Sequence, residues 1–229
     1  LYTSALSTQA YGTGELLNNL SEFLFPIVTF ALYEAVFRFA VDPDDERRDI
    51  INEAFILILK TFSVLIVVAA IVRFITNYEY IFYLIFVLFA YSVRMLFAYY
   101  ARGCGYAKCF AISGVVNSLA LAFLSWIFIG LLRLDVQGYL LALATGHLFS
   151  ALVLMIGAHI PSCISLTRRN RALLSKMLTY SVPLIFNSMA WWLTSISNRY
   201  IVLFSYGASV AGLYTAANKL PAVISMVAQ

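Results

Sequence analysis

The chain has 229 residues, of which 62% are hydrophobic and 11% are charged, with a formal net charge of +4. Soluble domains carry about 25% charged residues, so this composition excludes a soluble globular protein and indicates an integral membrane protein. The apolar runs are long and uninterrupted, unlike the alternating segments of about ten residues in an outer-membrane barrel, and they therefore predict helices.

Six complete apolar spans follow one another along the chain, and a seventh begins near its end. They are predicted at Glu15–Ala40, Ile50–Phe74, Tyr80–Tyr100, Cys109–Leu132, Gly138–Ile160 and Leu178–Phe204, with the seventh from Gly212 onward. Each complete span is long enough to cross a bilayer at ~1.5 Å per residue. Leu1–Ser7 is predicted to end an earlier span, and Thr8–Gly14 to form a polar turn. We therefore predict an all-α polytopic membrane bundle, and we expect a fragment of a longer protein.

The loops between these spans alternate in charge. One side carries Arg47, Arg48, Arg102, Lys108, Arg168, Arg169, Arg171 and Lys176, and the other carries Arg73 and Arg133. Because cytoplasmic loops hold the excess of Lys and Arg, the first set is predicted to be cytoplasmic.

A short internal sequence repeat predicts two similar bundles. Gly12, Asn18 and Leu20 recur 200 residues later as Gly212, Asn218 and Leu220. An even number of crossings separates the two copies, as in the parallel repeats of transporters. The expected domains are an N-terminal bundle over 1–160, a cytoplasmic linker over 161–176 and the start of a C-terminal bundle over 177–229.

The stretch Glu15–Asp42 is unusual among these spans because it contains four ionisable residues and a proline. The ionisable residues are Glu15, Glu22, Glu34 and Arg38, and Pro26 lies near the middle. Ionisable groups are unfavourable in hydrocarbon, so we expect them to face a protein interior or a water-filled cavity.

Catalytic and metal-binding patterns are lacking in the sequence. Cys104, Cys109 and Cys163 have neither metal nor disulfide spacing. No residues resemble a nucleophile–base pair or a phosphate-binding glycine loop, so we predict no enzyme, no cofactor and no metal site. Aromatic and basic residues are not interleaved as in a nucleic-acid site, so we expect no nucleic-acid partner.

Three stretches carry a family resemblance. They are LYTSALSTQAYGTGELL at Leu1–Leu17, FPIVTFALYEAVFRFAVD at Phe25–Asp42, and YSVPLIFNSMAWWLTSISNRYIVLFSYGASVAGLYTAANKLP at Tyr180–Pro221. These stretches resemble the polysaccharide and O-antigen flippases of the multidrug/oligosaccharidyl-lipid/polysaccharide exporter superfamily, and the middle of the chain fits by span count. The resemblance implies a MATE-like two-lobe transporter of about twelve to fourteen spans in the inner (cytoplasmic) membrane. It implies export of a polyprenyl-pyrophosphate-linked oligosaccharide by alternating access, for polysaccharide biosynthesis.

The anionic pyrophosphate of such a substrate needs a wet path lined by cations. Candidate substrate-binding residues within the spans are Lys60, Arg94, Arg199 and Lys219. Lys60 lies ~15 Å into its span and is the favoured central residue. Glu34 and Arg38 are candidates for the cytoplasmic entrance or gate. Two alternatives stay open: Arg38 and Arg94 extend to the inner interface, or Arg38 pairs with Glu34, four residues earlier.

Four further residues are candidates for charge balance or for a coupling proton or sodium ion. Glu15 and Glu22 are expected to balance Arg199 and Lys219, or one of them to bind the coupling ion. His147 is either a proton relay or a hydrogen-bond partner of a neighbouring helix. Asn198 stands where many members of the resembled family have Asp, which argues against cation coupling there.

Two other functions compete with the flippase. A drug or organic-cation antiporter of the same superfamily needs acidic binding residues, whereas cations outnumber acids within these spans. A membrane-embedded glycosyltransferase or ligase needs a large outer loop, and the outer loops here are short. Beyond the lipid-linked oligosaccharide and the bilayer, a polysaccharide polymerase and glycosyltransferases are the expected partners.

Overall fold

The structure is a computed structural model and describes residues 8–42, 47–165 and 169–206. Within these ranges it contains seven α-helices and no strand. The helices are α1 (Thr8–Val28), α2 (Leu32–Ala40), α3 (Arg47–Thr76), α4 (Ile81–Gly103), α5 (Ala107–Ser125), α6 (Val136–Gly157) and α7 (Arg171–Tyr206). Helix α5 continues into a π-helical turn at Trp126–Leu131, and a short 3₁₀ helix at Ile160–Ser162 follows α6.

Several of these helices are long and apolar enough to cross a membrane. Four pass this test among the described residues: α3, α4, α5 with its π-helical turn, and α6. The bent pair formed by α1 and α2 makes a fifth if it counts as one span. This confirms the predicted all-α polytopic bundle. The sixth predicted span, Leu178–Phe204, lies within α7, which is not among these helices, and its crossing of the membrane stays a prediction.

The first predicted span, Glu15–Ala40, is not one helix. Helices α1 and α2 meet at an angle of 59°, and Phe30 and Ala31 between them have φ angles of 53° and 48°. Pro26 has no N–H to donate to the carbonyl of Glu22, which weakens the helix before the break. The Thr29 hydroxyl then donates to the Phe25 carbonyl (2.7 Å), and the Ala31 N–H donates to the Pro26 carbonyl (2.8 Å). These hydrogen bonds provide partners for backbone groups at the point where the α-helix ends.

The predicted turn at Thr8–Gly14 is also wrong, because α1 already begins at Thr8. Gly14 has a different role from a turn residue. A Cβ atom at this position would lie 2.6 Å from Cδ1 of Tyr139, so glycine here permits close packing of α1 on α6. Helix α7 likewise begins at Arg171, inside the segment predicted as a linker.

Helices α4 and α6 are the interior helices of the bundle. Half of the apolar stretch is buried in each of them, against 22% in α3 and 17% in α5. A large apolar cluster joins α2, α3 and α4 through residues such as Leu32, Ile51 and Leu96. A smaller one joins α1, α4 and α6 through residues such as Leu17 and Leu140. Polar side chains in the middle of α4 and α6, such as Ser92 and Ser150, are therefore enclosed by neighbouring helices.

The chain divides into two compact units between Ile185 and Phe186. In the first unit, the structure describes α1 to α6 and the N-terminal part of α7. In the second, it describes the C-terminal part of α7, up to Tyr206.

Candidate functional site

Four polar residues from three helices meet inside the first unit, and we call them the Arg94 cluster. They are Tyr91 and Arg94 on α4, Asn117 on α5 and His147 on α6. The His147 and Tyr91 rings are 5.3 Å apart, and the Arg94 guanidinium lies over the Tyr91 ring at 5.9 Å. The Nδ1 atom of His147 is 2.9 Å from Oδ1 of Asn117. The cluster therefore combines a cation, an aromatic ring and two hydrogen-bonding side chains.

Arg94 lies deep within the membrane-spanning part of the bundle. It is thirteen residues from Ile81 and nine from Gly103, which places it ~20 Å and ~14 Å from the two ends of α4. Its guanidinium lies back over Tyr91, one turn nearer the predicted outer side. The open alternative in which Arg94 extends to the inner interface is therefore not what the structure shows.

The guanidinium of Arg94 has unused hydrogen-bonding capacity. Its Nε atom is buried and has no hydrogen-bond partner among the described residues. One Nη atom contacts the Met95 sulfur at 3.6 Å, which is a weak acceptor. A guanidinium presents five N–H donors and pairs with phosphate in a bidentate geometry. Arg94 is therefore chemically suited to bind an anion inside the bundle.

His147 hydrogen-bonds a neighbouring helix, which is one of the two alternatives predicted for it. If Asn117 Oδ1 accepts, Nδ1 of His147 carries the proton, and Nε2 is then an acceptor. Arg94 also acts on this ring electrostatically.

Two predicted acids on α1 have partners within the first unit. The Tyr139 hydroxyl donates to Oε1 of Glu15 at 2.7 Å, which joins α6 to α1. The Asn18 amide donates to Oε1 of Glu22 at 3.1 Å, and Glu22 also interacts electrostatically with Tyr91. Glu22 is thus an exposed residue beside the Arg94 cluster.

The side chains of the expected partners of these acids lie outside the described part of the structure. Lys219 lies outside the described residues. Asn198 and Arg199 belong to α7, but their side chains are not in the described part of the structure.

The two candidates for the cytoplasmic entrance, Glu34 and Arg38, have different partners. Arg38 forms an exposed ion pair with Asp42 at 3.5 Å, so the open alternative in which it pairs with Glu34 is not what the structure shows. Glu34 is half-buried and interacts electrostatically with Arg102. The Arg102 guanidinium lies 5.2 Å to 5.9 Å from the rings of Phe37, Tyr99 and Phe110.

Lys60, the favoured central residue, is exposed on α3. It makes no hydrogen bond or ion pair with any residue that the structure describes. The structure therefore brings Arg94, His147 and Glu22 into one region of the bundle, and leaves Lys60 apart from them.

Sequence reasoning missed Tyr91, Asn117 and the ion pair between buried Glu53 and exposed Arg169. Arg169 donates to both carboxylate oxygens of Glu53, with the shortest distance 2.8 Å. A signal existed for Glu53, which is an ionisable residue at the start of an apolar run. Its partner lies 116 residues away, beyond the reach of any local pattern.

No group of three or more His, Cys, Asp or Glu side chains in the described ranges is placed to hold a metal ion.

An all-helical bundle that encloses a half-buried cation and a histidine defines a polytopic membrane protein with a polar interior. The chain belongs to the family described as polysaccharide biosynthesis protein, whose match covers residues 1–229. This is the family of the polysaccharide and O-antigen flippases, so the predicted resemblance is confirmed and the chain is a polysaccharide-related membrane transporter. Comparison with curated proteins and with solved structures gives no match.

Proposed function

We propose that the full-length protein moves a polyprenyl-pyrophosphate-linked oligosaccharide across the cytoplasmic membrane for polysaccharide biosynthesis. The observation that carries this proposal is Arg94, a cation held deep in the bundle whose Nε atom has no hydrogen-bond partner in the described part of the chain. The apolar tail of the substrate can stay in lipid, whereas its pyrophosphate needs a positive partner at mid-membrane depth. Family membership supports a polysaccharide-linked cargo.

In this proposal Arg94 binds the pyrophosphate and its neighbours position it. Tyr91 packs edge-on against Phe25 of α1 at 4.8 Å, which fixes the ring beneath the guanidinium. Asn117 and His147 offer polar groups to sugar hydroxyls. Lys60, Arg199 and Lys219 remain candidates for other steps of the path, and Glu34 and Arg38 for its cytoplasmic end.

The proposal includes alternating access of two lobes, joined by the segment that follows α6. Glu22 is the candidate for the coupling proton or sodium ion, because its carboxylate is next to the Arg94 cluster and accepts from an amide. Glu15 has a structural partner in Tyr139 and is the weaker candidate.

The test replaces Arg94 with Gln in the full-length protein, in cells that lack the native copy. We expect surface polysaccharide to fall about 10-fold to 100-fold, the equivalent of one charge-assisted hydrogen bond. Arg94→Lys should keep part of the export, since it keeps the charge. Arg48→Gln is the matched control, because Arg48 is exposed at the start of α3 and the charge change is the same.

Membrane abundance of each variant is measured by immunoblot, so that export is compared at equal protein levels. Normal surface polysaccharide in Arg94→Gln at normal abundance would contradict the proposal. Equal losses in Arg94→Gln and Arg48→Gln would also contradict it, because the effect would then follow net charge.

A further inference from the structure

A fully buried carboxylate holds the segment between α6 and α7. Glu53, in the second turn of α3, has 0% of its surface exposed. Both of its oxygens accept hydrogen bonds from the Arg169 guanidinium, at 2.8 Å to 3.2 Å. Its Oε1 atom also accepts from the backbone N–H of Asn170 at 2.7 Å. The acid therefore recognises both a side chain and the backbone of this segment.

The preceding residue of α3 holds the same segment at a second point. Oδ1 of Asn52 accepts from the Ser165 N–H at 2.8 Å. Oδ1 of Asn170 in turn accepts from the Leu173 N–H at 3.1 Å, which caps the first turn of α7. We call Asn52, Glu53, Ser165, Arg169 and Asn170 the linker latch. It connects the start of α7 to α3 through two neighbouring residues.

The chemistry of the latch favours a reversible contact over a permanent one. Burying the Glu53 carboxylate removes its charge from water, and this penalty offsets part of its attraction to Arg169. Pairing a buried carboxylate is weak evidence for a purely stabilising role. The Arg169 side chain is 29% exposed, so water already reaches one side of the pair. Both charges can rehydrate when they separate.

We propose that Glu53 is a positioning residue for transport, and that the linker latch opens and closes during the transport cycle. Closed, the latch fixes the first turn of α7, whose Leu173 and Met177 side chains are buried in the apolar core of the first unit. Open, it leaves that end of α7 held by these apolar contacts without the polar ones. This inference rests on the proposed transport function, but opening of the latch can be measured without a transport assay.

The first test measures opening by cysteine labelling in the full-length protein, with Cys104, Cys109 and Cys163 replaced by Ser. Asn52→Cys removes the hydrogen bond to Ser165, keeps the Glu53–Arg169 pair and places a thiol where Asn52 is 1% exposed. Ala54→Cys places a thiol two residues away in the core, where Ala54 is 0% exposed. A membrane-impermeant maleimide is added to inside-out vesicles. We expect position 52 to be labelled and position 54 to stay unlabelled.

Glu53→Gln supplies a second comparison, because it removes the charge that holds Arg169. We expect labelling at position 52 to become at least tenfold faster in this background, with position 54 unchanged. A position 52 that stays as unreactive as position 54 would overturn the inference. Unchanged labelling at position 52 in Glu53→Gln would overturn it as well, because opening would then not depend on the ion pair.

The second test locks the latch and measures export. Asn52→Cys and Ser165→Cys are combined, and an oxidant forms a disulfide where the native hydrogen bond joins these residues. We expect oxidation to reduce export at least tenfold and a reductant to restore it. The control pair is Ser113→Cys with Ser150→Cys, where the Ser150 hydroxyl donates to the Ser113 carbonyl between α5 and α6 at 2.8 Å. Its oxidation should leave export unchanged.

The outcomes separate the two proposals. Suppose that the double-cysteine protein exports polysaccharide when reduced and continues to do so after quantitative 52–165 cross-linking. This result overturns the latch inference and does not contradict the proposed flippase function. Absence of lipid-linked oligosaccharide transport in the unmodified protein contradicts the flippase, and the labelling comparison then decides on the latch by itself.

Discussion

At the scale of the residue, the contact between Gly14 and Tyr139 shows how little room separates α1 from α6. The Tyr139 ring is buried, and its hydroxyl donates to Oε1 of Glu15. The ring therefore has a fixed position and cannot easily move aside. At Gly12, one half-turn earlier, no described residue outside the local helix backbone comes within 4 Å of the place where a Cβ would stand.

These two glycines lead to opposite predictions for the same substitution. Ala is favoured over Gly in a helix by roughly 1 kcal/mol. Gly12→Ala should therefore leave stability unchanged or raise it. Gly14→Ala should lower stability by about 1–3 kcal/mol, because its Cβ would overlap the Tyr139 ring.

The measurement is the thermal unfolding midpoint of the purified full-length variants in detergent. Equal midpoints for Gly12→Ala and Gly14→Ala would show that the contact with Tyr139 is looser than the structure has it.

At the scale of the element, the break between α1 and α2 places strain at two residues. L-amino acids at positive φ are less stable than in the right-handed region by roughly 1–2 kcal/mol. Phe30 and Ala31 both carry this strain, and neither of them is a glycine. The bend is therefore held by the surrounding contacts, including the burial of Ala31 and Leu32 in the core.

This strain predicts a reversal of the usual residue preferences at Phe30. There, Gly should be more stable than Val by roughly 1–2 kcal/mol, because a β-branched residue is most unfavourable at positive φ. At Leu20, within α1, Val should be more stable than Gly by roughly 0.5 kcal/mol. Phe30 and Leu20 are 37% and 40% exposed, so the loss of packing is similar at both positions.

Unfolding midpoints of the four variants, Phe30→Gly, Phe30→Val, Leu20→Gly and Leu20→Val, test the reversal. The same order of stability at both positions would mean that Phe30 lies in an ordinary helical conformation.

The helices themselves were predictable, because a run of apolar residues in lipid has few structures that satisfy its backbone. The predicted span Tyr80–Tyr100 and the observed α4, Ile81–Gly103, differ by a few residues at the ends. The break after Pro26 and the helical role of Gly14 were not predictable, because both depend on which neighbour approaches. Proline and glycine occur in turns, kinks and close contacts alike.

At the scale of the whole molecule, the candidate site was predictable only in part. Arg94, His147 and Glu22 were recognised because an ionisable residue in an apolar run is unusual wherever it faces. Tyr91 and Asn117 escaped notice because their residue types are common in membrane helices. Lys60 was favoured from its depth, which a residue count gives, but its exposure depends on the rotation of α3 in the bundle, which a residue count does not give.

The orientation of the bundle in the membrane yields the last prediction, which rests on the positive-inside rule. Tyr78, in the turn between α3 and α4, and Tyr106, between α4 and α5, lie in turns at opposite ends of α4. They are 42% and 41% exposed, which makes them a matched pair. Arg102 and Lys108 flank Tyr106, so its turn should be cytoplasmic and that of Tyr78 external. With the native cysteines replaced by Ser, Tyr78→Cys should react with an impermeant maleimide added to intact spheroplasts. Tyr106→Cys should react only after permeabilisation. The reverse pattern would mean that the bundle has the opposite orientation in the membrane.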